Sequence, residues 1–348
     1  MTGPASNKIR YEEEGWGDEP RAIHALMSGL IDYAGLFPPA KLSMGEAVAN
    51  YAKYAASAEA WMLGRFILPV SRIEEFRTAS AKFLPKKWDD EDEGEGGGGW
   101  PISAIVDGDL DENLDSIFAF NAQHAEPRDG LAVIDAVEIK VPPISETDAA
   151  SPNPNVPFIE SSLEIMAEGV YPLFELPVMG GGVPSSHTSV DLRGAIAALA
   201  GADAGAKIRT GGVVPGAIPT SRAVAEFLVA CAQADVPFKA TAGLHHAIRA
   251  EHPLTYEPGC PRAMMHGFLN VFIAAAMAKE YRLDVAAVVK VLDETDPLRF
   301  DIGEDAIVWG PGRVDIESIE NMRDLFGLSF GSCSFEEPVN ELRSLGVI

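Results

Sequence analysis

Polar and apolar residues alternate along two stretches of the chain that are separated by about one helix. The first, residues 206–212, places Lys207 and Arg209 on one face and mainly apolar side chains on the other. The second, residues 237–246, repeats this pattern with Lys239 on the polar face. Because successive side chains of a strand point to opposite faces, the pattern predicts two strands with one cationic and one apolar face each.

The surroundings of these two strands favour a closed barrel over an open sheet. Each is followed by a loop and a helical pattern, which is typical of βα units and a parallel sheet. Strands of an open doubly wound sheet are buried on both faces and read as apolar runs, which central lysines contradict. In a TIM-type (β/α)8 barrel the outward face packs on helices and the inward face leads to the active site, so this α/β fold is expected.

The rest of the chain supplies enough alternating elements for eight βα units. Further strands are predicted at residues 61–70, 101–108, 135–141, 171–179, 298–314 and 328–335. Helices are predicted at residues 20–34, 43–57, 71–84, 109–124, 158–169, 189–202, 220–234, 262–281, 285–293 and 315–326, with a short terminal helix. We therefore expect a mobile tail at residues 1–19 and one domain at 20–348, with N-terminal helices at 20–57 and a flexible acidic, glycine-rich insertion at 89–99.

Composition narrows the class of partner. The chain has 348 residues, of which 47% are hydrophobic, and a formal net charge of −25. Such acidity argues against nucleic acids and anionic membranes as partners. Three widely spaced cysteines, no apolar leader and no long apolar segment lead us to expect a cytoplasmic protein. The apolar stretch 264–277 is interpreted as core, with the face of a homo-oligomer as the alternative.

Extending the alternation to all strands predicts a shared cluster of polar side chains inside the barrel. The inward set comprises Arg65, Glu138, Lys140, Glu175, Lys207, Arg209, Lys239, Thr241 and His245. Its five cations outnumber its two carboxylates, which indicates a small substrate carrying a phosphate or carboxylate. The alternative is a structural network of salt bridges, which should be nearly neutral.

Individual roles follow from the chemistry of each side chain. A lysine among other cations and apolar walls has a lowered pKa and becomes a Schiff-base nucleophile, so Lys239 is the first candidate and Lys207 its rival or neighbour. Plain anion binding is the alternative for either lysine. The run Arg209-Thr210-Gly211-Gly212 suits an oxyanion at the end of a strand, and a tight turn is the alternative.

Proton transfer is assigned to Glu138, Glu175 or His245. These three residues are also the alternative ligands of a divalent metal ion, and otherwise no cofactor is expected. His246, next to His245, should diverge from it on a regular strand. Cys333 is interpreted as a buried thiol without an assigned histidine partner, and His266 as a histidine of the core.

Two resemblances bear on this interpretation. The stretch Phe238-Lys239-Ala240-Thr241-Ala242-Gly243 resembles the strand-six lysine segment of class I aldolases of the deoxyribose-phosphate aldolase type. The resemblance implies a Schiff-base lysine at Lys239, on strand six by our count. The chain also resembles an uncharacterised bacterial family that shares residues 30–40, 207–212 and 239–246, and this resemblance implies no function.

The sequence therefore predicts an aldolase-type lyase that acts on a small anionic substrate. A metal-dependent lyase or hydrolase on the same barrel is the first alternative. The second is a barrel without catalysis that serves for binding or as a scaffold, in which the inward charges would pair off completely.

Overall fold

The structure is a computed structural model that describes residues 20–86, 99–142, 155–166, 168–178 and 192–348. The barrel strands are β1 (Ile31–Tyr33), β2 (Leu63–Pro69), β3 (Trp100–Ile105), β4 (Ala132–Lys140), β5 (Tyr171–Glu175), β6 (Gly205–Arg209), β7 (Phe238–Thr241) and β13 (Gly327–Ser332). Outside it lie β8 (Ala250–Pro253), β9 (Arg262–Met265), β10 (Phe300–Ile302), β11 (Ala306–Trp309) and β12 (Gly312–Asp315).

The eight barrel strands close in the order β1-β13-β7-β6-β5-β4-β3-β2, and every neighbouring pair is parallel. The helices are α1 (Arg21–Met27), α2 (Met44–Ala55), α3 (Ile73–Ser80), α4 (Leu110–His124), α5 (Val156–Glu164), α6 (Leu192–Leu199), α7 (Ser221–Ala234), α8 (Phe268–Tyr281), α9 (Val285–Leu292), α10 (Ile316–Leu325) and α11 (Glu336–Leu345). The predicted TIM-type α/β barrel is thus confirmed.

Alternation along the strands separates the helix-packed core from the barrel interior. On β6 and β7, Ala206, Ile208, Phe238 and Ala240 belong to the main hydrophobic core. The intervening lysines therefore face inward, as successive side chains of a strand must. A second, smaller apolar cluster of Ala136, Tyr171 and Leu173, packed by Leu328, lies on the amino-terminal side of the inward charges.

Capping residues place several helices where the sequence predicts them. Ser43 accepts a hydrogen bond from the Glu46 backbone N–H, and the Glu46 side chain accepts one from the Ser43 backbone, so the predicted capping box opens α2. The side chains of Asp109 and Thr220 cap α4 and α7 by accepting hydrogen bonds from the backbone N–H groups of Glu112 and Ala223. These caps satisfy N–H groups that have no partner within the helix.

The first barrel strand was missed by sequence reasoning. A helix at residues 20–34 was predicted, but α1 ends at Met27 and Gly29 adopts a φ of +58°. The next residues form β1, which pairs with both β2 and β13. A three-residue strand is too short for its alternation to be told from a helical pattern, and α2 is consequently the helix of the first βα unit.

The total of eight strands was still predicted correctly, because one barrel strand was missed and one was predicted where the barrel has none. Residues 298–314, expected to contain the seventh strand, form the antiparallel sheet β10-β11-β12 outside the barrel. Lys239 therefore lies on the seventh barrel strand along the chain, not on the sixth. The strand-six position implied by the aldolase resemblance is thus wrong for Lys239.

The helix predicted from residue 262 begins only at Phe268, because Arg262–Met265 pairs with β8 as an antiparallel hairpin. Every residue of α8 from Phe268 to Ala278 is buried, which confirms that this helix belongs to the core. No helix among the described residues has the length and apolarity needed to cross a bilayer. The predicted tail at 1–19 and most of the acidic insertion at 89–99 lie outside the described residues.

Candidate functional site

Five charged side chains from five different strands meet in one layer of the barrel interior. They are Asp32 on β1, Glu138 on β4, Glu175 on β5, Lys207 on β6 and Lys239 on β7, and all are buried. Two buried hydroxyls, Ser103 on β3 and Ser329 on β13, lie in the same layer. Parallel strands that close into a barrel bring the carboxyl halves of distant segments to one place, which explains this convergence.

Lys239 is one of the two least exposed charged residues of this layer, with 1% of its surface exposed against 0% for Asp32. Its ammonium contacts Asp32 and lies 2.7 Å from Oε1 of Glu138. Asp32 is held in turn by the Ser329 hydroxyl and by the Arg65 backbone N–H, each donating a hydrogen bond of 2.7 Å. The deep end of the layer is therefore fully hydrogen-bonded and charge-paired.

Lys207 occupies the neighbouring position on β6, where it is the register partner of Lys239. Its ammonium lies 2.5 Å from Oε2 of Glu138 and 2.6 Å from Oε2 of Glu175. Glu175 also faces Arg209, whose Nη1 lies 3.7 Å from Oε1 and whose side chain is 52% exposed. The charges thus alternate in sign from Asp32 in the interior to Arg209 at the mouth.

The close packing of opposite charges shifts two pKa values. Burial by itself raises the pKa of Glu138, but Lys207 and Lys239 outweigh it and hold that pKa below its ordinary range. Burial by itself lowers the pKa of Lys207, but Glu138 and Glu175 outweigh it and raise that pKa. At neutral pH Glu138 is therefore a carboxylate and Lys207 an ammonium.

The expected excess of positive charge in the interior is wrong. The buried layer holds three carboxylates against two lysines, and Arg209 at the mouth balances the third carboxylate. Asp32 was left out because its strand was read as the end of a helix. The nearest charged partners of both lysines are carboxylates, so the expected crowd of cations around Lys239 is wrong too.

Arg65 and Lys140 do not join the buried layer. Arg65 makes a bidentate pair with Asp135, with Nε and Nη2 each 2.7 Å from a carboxylate oxygen. Asp135 is the extra residue where the β3–β4 register shifts, since Ile102 pairs with Ile134 and Ser103 with Ala136. Lys140, the last residue of β4, is exposed.

Loop packing accounts for the run that follows Arg209. The Thr210 hydroxyl donates a 2.7 Å hydrogen bond to the Ala242 carbonyl oxygen. A Cβ on Gly211 would lie 2.8 Å from the Cα of Gly243, and one on Gly212 would lie 2.7 Å from the Cβ of Ala217. These contacts give both glycines a packing role, since a larger residue at Gly211 would clash with the backbone at Gly243 and one at Gly212 with the side chain of Ala217.

Thr241 lies at the mouth of the barrel, at the end of β7. It is half-buried, and it pairs in register with Arg209 on one side and Gly331 on the other. A Cβ on Gly331 would lie 3.2 Å from the Thr241 hydroxyl oxygen. Thr241 is therefore placed one layer above Lys239, between the buried charges and the mouth.

His245 lies with a different set of residues from Glu138 and Glu175. Its Nδ1 is 3.1 Å from the Ser332 hydroxyl oxygen, and that hydroxyl donates its own hydrogen to the Ser334 carbonyl oxygen, so Nδ1 is the donor. Burial lowers the pKa of His245 to about 4. The predicted metal set of Glu138, Glu175 and His245 is not brought together among the described residues, where the one His/Cys/Asp/Glu group with suitable spacing is His246, His252 and Glu341.

The position of Lys207 explains why Glu138 and Glu175 do not bind a metal ion together. Its ammonium bridges Glu138 and Glu175, in the space that a divalent cation would need. The predicted divergence of His245 and His246 is confirmed, with ring centroids 6.5 Å apart and planes at 76°.

Cys333 has a histidine neighbour that the sequence did not reveal. Its Sγ lies 3.8 Å from Nδ1 and 4.0 Å from Nε2 of His245. Burial raises the pKa of this thiol, and the pKa of His245 is lowered, so both groups are neutral at pH 7. The interpretation of Cys333 as a buried thiol is confirmed, and so is that of His266 as a core histidine, hydrogen-bonded to the Pro219 carbonyl oxygen at 2.9 Å.

Three residues of the layer were missed by sequence reasoning. Asp32 lies in an apolar run, Leu30-Ile31-Asp32-Tyr33, and a carboxylate in such a run is the signal that could have indicated it. Ser103 and Ser329 lie on predicted strands, but an isolated serine carries no recognisable pattern. No protein-family model matches the chain, and a search of curated proteins found no relative.

Proposed function

We propose that the chain is an enzyme of the aldolase type, in which a buried lysine forms a Schiff base with a small carbonyl substrate that carries a negative charge. One observation carries the proposal. Lys207 and Lys239 are register partners in a barrel interior and contact the two oxygens of one carboxylate, Glu138. Barrel interiors are normally filled by branched apolar side chains, and the active sites of such barrels lie at the carboxyl ends of the strands.

The depth of the two lysines favours Lys207 as the nucleophile. Lys239 is surrounded by Asp32, Glu138 and the two serines, whereas Lys207 leads through Glu175 to the exposed Arg209. A substrate that enters from the mouth meets Arg209, Glu175 and Lys207 first. Lys239 then has a supporting role, in which its ammonium stabilises the ionised form of Glu138.

The reaction requires a neutral amine. In the proposed step Lys207 passes its proton to Glu175, 2.6 Å away, and its nitrogen attacks the carbonyl carbon. The carbonyl electron pair moves to oxygen, which is protonated, and water leaves to give the protonated imine. The imine then accepts the electron pair of the breaking carbon–carbon bond and becomes an enamine, while a carboxylate takes the proton of the β-hydroxyl group and that fragment leaves as a carbonyl compound. Protonation of the enamine on carbon and addition of water then release the second product and the free lysine.

Arg209 supports the choice of an anionic substrate. It lies two residues after Lys207 on the same inward face, so the two side chains are separated by roughly 7 Å along the strand. Guanidinium groups bind carboxylates and phosphates through two parallel hydrogen bonds. A compound of a few carbon atoms can therefore span from the amine to the guanidinium.

Borohydride trapping tests the proposal directly. The protein is incubated with 2-oxo acids, short aldehydes and sugar phosphates, reduced with borohydride and mapped by peptide mass spectrometry. The proposal expects a reduced adduct on Lys207 with at least one anionic carbonyl compound. Absence of an adduct on both lysines across the whole panel would contradict it.

Complete pairing of the buried charges favours a second candidate, a barrel without catalysis. Each of the five buried groups has a partner of opposite sign within the layer. A purely structural network can be replaced by apolar residues of similar volume with little loss, or even a gain, of stability. If this candidate is correct, the combined variant Glu138→Leu, Lys207→Met, Lys239→Met, Asp32→Leu and Glu175→Leu keeps or raises the free energy of unfolding, and the unmodified protein gives no adduct.

A further inference from the structure

Two histidines and a glutamate meet beside the barrel mouth, away from the charged layer. His246 lies in the loop after β7, His252 on β8 and Glu341 on α11. One potential ligand atom from each lies within 4.8 Å of the other two. The three residues come from chain segments that are distant in sequence, so their meeting is a product of the fold.

The hydrogen bonds of the three residues leave nitrogen and oxygen atoms in positions from which they can bind a cation. Nδ1 of His246 lies 2.5 Å from Oε1 of Glu341, and the other carboxylate oxygen accepts a 2.6 Å hydrogen bond from the Ala247 backbone N–H. That backbone contact fixes the carboxylate in the manner of an outer-shell partner at metal sites. The Nε2 atom of His252 is buried and has no hydrogen-bond partner among the described residues.

The electrostatic surroundings are mixed but favour binding of a cation. Glu337, one turn before Glu341 on α11, lies on the same side, with its carboxylate 3.5 Å from Nδ1 of His245. The hydrogen bonds from His246 and Ala247 outweigh burial and lower the pKa of Glu341. Burial, with smaller contributions from the neighbouring His246 and Arg262, lowers the pKa of His252 to about 4, and Glu341 opposes this shift.

We propose that His246, His252 and Glu341 bind one divalent cation of the zinc class. Two imidazoles and one carboxylate are a common ligand set for Zn²⁺ and leave a fourth position for water. The ion takes the place of the hydrogen bond between Nδ1 of His246 and Glu341, and the imidazole carries its hydrogen on Nε2 when Nδ1 binds the ion. The imidazole rings of His246 and His252 are stacked, with their centroids 3.3 Å apart and their planes at 7°. We expect the two rings to tilt on binding, so that a lone pair of each reaches the ion.

A cation bound at this site would link separate chain segments at the mouth of the barrel. The site joins the loop after β7 and the β8–β9 hairpin to α11, the helix that follows the last barrel strand. The connection between β8 and β9 brings the Tyr256 hydroxyl within 3.6 Å of Sγ of Cys333. A bound ion therefore holds this hairpin against α11 and reduces its local opening.

Zinc binding by the metal-stripped full chain tests the proposal. Competition with a chromophoric chelator is expected to give one Zn²⁺ per chain with a submicromolar dissociation constant. His252→Gln and Glu341→Gln should each weaken binding by about 100-fold or more. His24→Gln, on α1 at the other end of the first barrel strand, is the matched control and should bind as the unmodified chain does.

Two readouts on the unmodified protein make the test independent of the variants' folding. Added Co²⁺ should give the visible absorption of a four-coordinate site, and Zn²⁺ should slow hydrogen exchange in residues 250–265. Absence of stoichiometric binding below about 10 μM would overturn the proposal. An affinity in both ligand variants that is unchanged from that of the unmodified chain would overturn it as well, because the ion would then lie elsewhere.

Discussion

Lys207 and Lys239 lie side by side on neighbouring strands, and their ammonium groups contact opposite oxygens of the same buried carboxylate, that of Glu138. Two cations this close in a barrel interior repel each other, and a negative charge between them is needed to offset that repulsion. Glu138 supplies that charge, and Asp32 and Glu175 complete the pairing on either side. The stability of the layer and the proposed chemistry therefore both depend on Glu138.

Replacing this carboxylate should destabilise the protein strongly. In Glu138→Gln both lysines lose a buried partner, and uncompensated buried charge of this kind costs about 3 kcal/mol or more. Urea unfolding at pH 7 measures the loss. Glu74→Gln is the matched control, because Glu74 is highly exposed and its pair with Arg77 should contribute less than about 1 kcal/mol.

The effect of Glu138→Gln should depend on pH in a defined direction. The pKa of Glu138 is lowered on folding, so its stabilising contribution is present above its unfolded pKa of about 4.3 and is lost as the pH falls through the lower folded value. The difference in free energy of unfolding between Glu138→Gln and the unmodified protein should be constant from pH 7 to 5 and shrink below pH 4. A difference that is as large at pH 3 as at pH 7 would contradict this.

Arg209 should affect substrate capture and leave stability unchanged. Arg209→Ala removes an exposed guanidinium whose contact with Glu175 is long, so the free energy of unfolding should change by less than about 0.5 kcal/mol. Adduct formation with anionic carbonyl compounds should slow by roughly tenfold or more, because the lost charge-assisted hydrogen bonds contribute about 1.5 kcal/mol or more. Uncharged carbonyl compounds should react as before.

The control for this prediction is Arg222→Ala, which removes another exposed arginine, paired with Glu226 on α7. Equal slowing for charged and uncharged compounds, or the same slowing in Arg222→Ala, would rule out anion binding by Arg209.

The three cysteines should differ in their reaction with alkylating agents. Hydrogen bonding with Thr255 lowers the pKa of Cys260, which is half-buried, whereas burial raises the pKa of Cys333 and of Cys231. Because the thiolate is the reactive form, iodoacetamide at pH 8 should modify Cys260 first. Peptide mass spectrometry follows the order, and Cys333 or Cys231 reacting before Cys260 in the folded protein would contradict it.

The sequence predicted the barrel because charged side chains flanked by apolar ones recur on several strands, each followed by a helical pattern. Glu138, Glu175, Lys207 and Lys239 were placed inward correctly, since each lies opposite apolar neighbours on its strand. The same alternation predicted wrongly that Lys140 joins the buried cluster. Lys140 lies at the end of its strand, where alternation no longer implies burial. Periodicity along one strand therefore gives the direction of a side chain but not its depth.

Other parts of the site depend on contacts that no local pattern encodes. Asp32 lies on a three-residue strand that closes the barrel through pairing with β2 and β13, and this pairing is distant in sequence. The partner of Arg65, Asp135, lies at an irregularity in the register between β3 and β4. The balance of charge in the interior could not be derived without these two residues.

The central claim is that the amine of Lys207 becomes covalently linked to a carbonyl substrate, with Lys239 as its supporting neighbour. The most direct measurement is the intact mass and adduct position after borohydride reduction of the unmodified protein, Lys207→Met and Lys239→Met, each shown to be folded by circular dichroism. We expect an adduct at Lys207 in the unmodified protein, a weaker one in Lys239→Met, and none in Lys207→Met. An undiminished adduct in Lys207→Met would contradict the assignment of the nucleophile, and an unmodified mass in all three proteins with every compound tested would contradict the proposed chemistry.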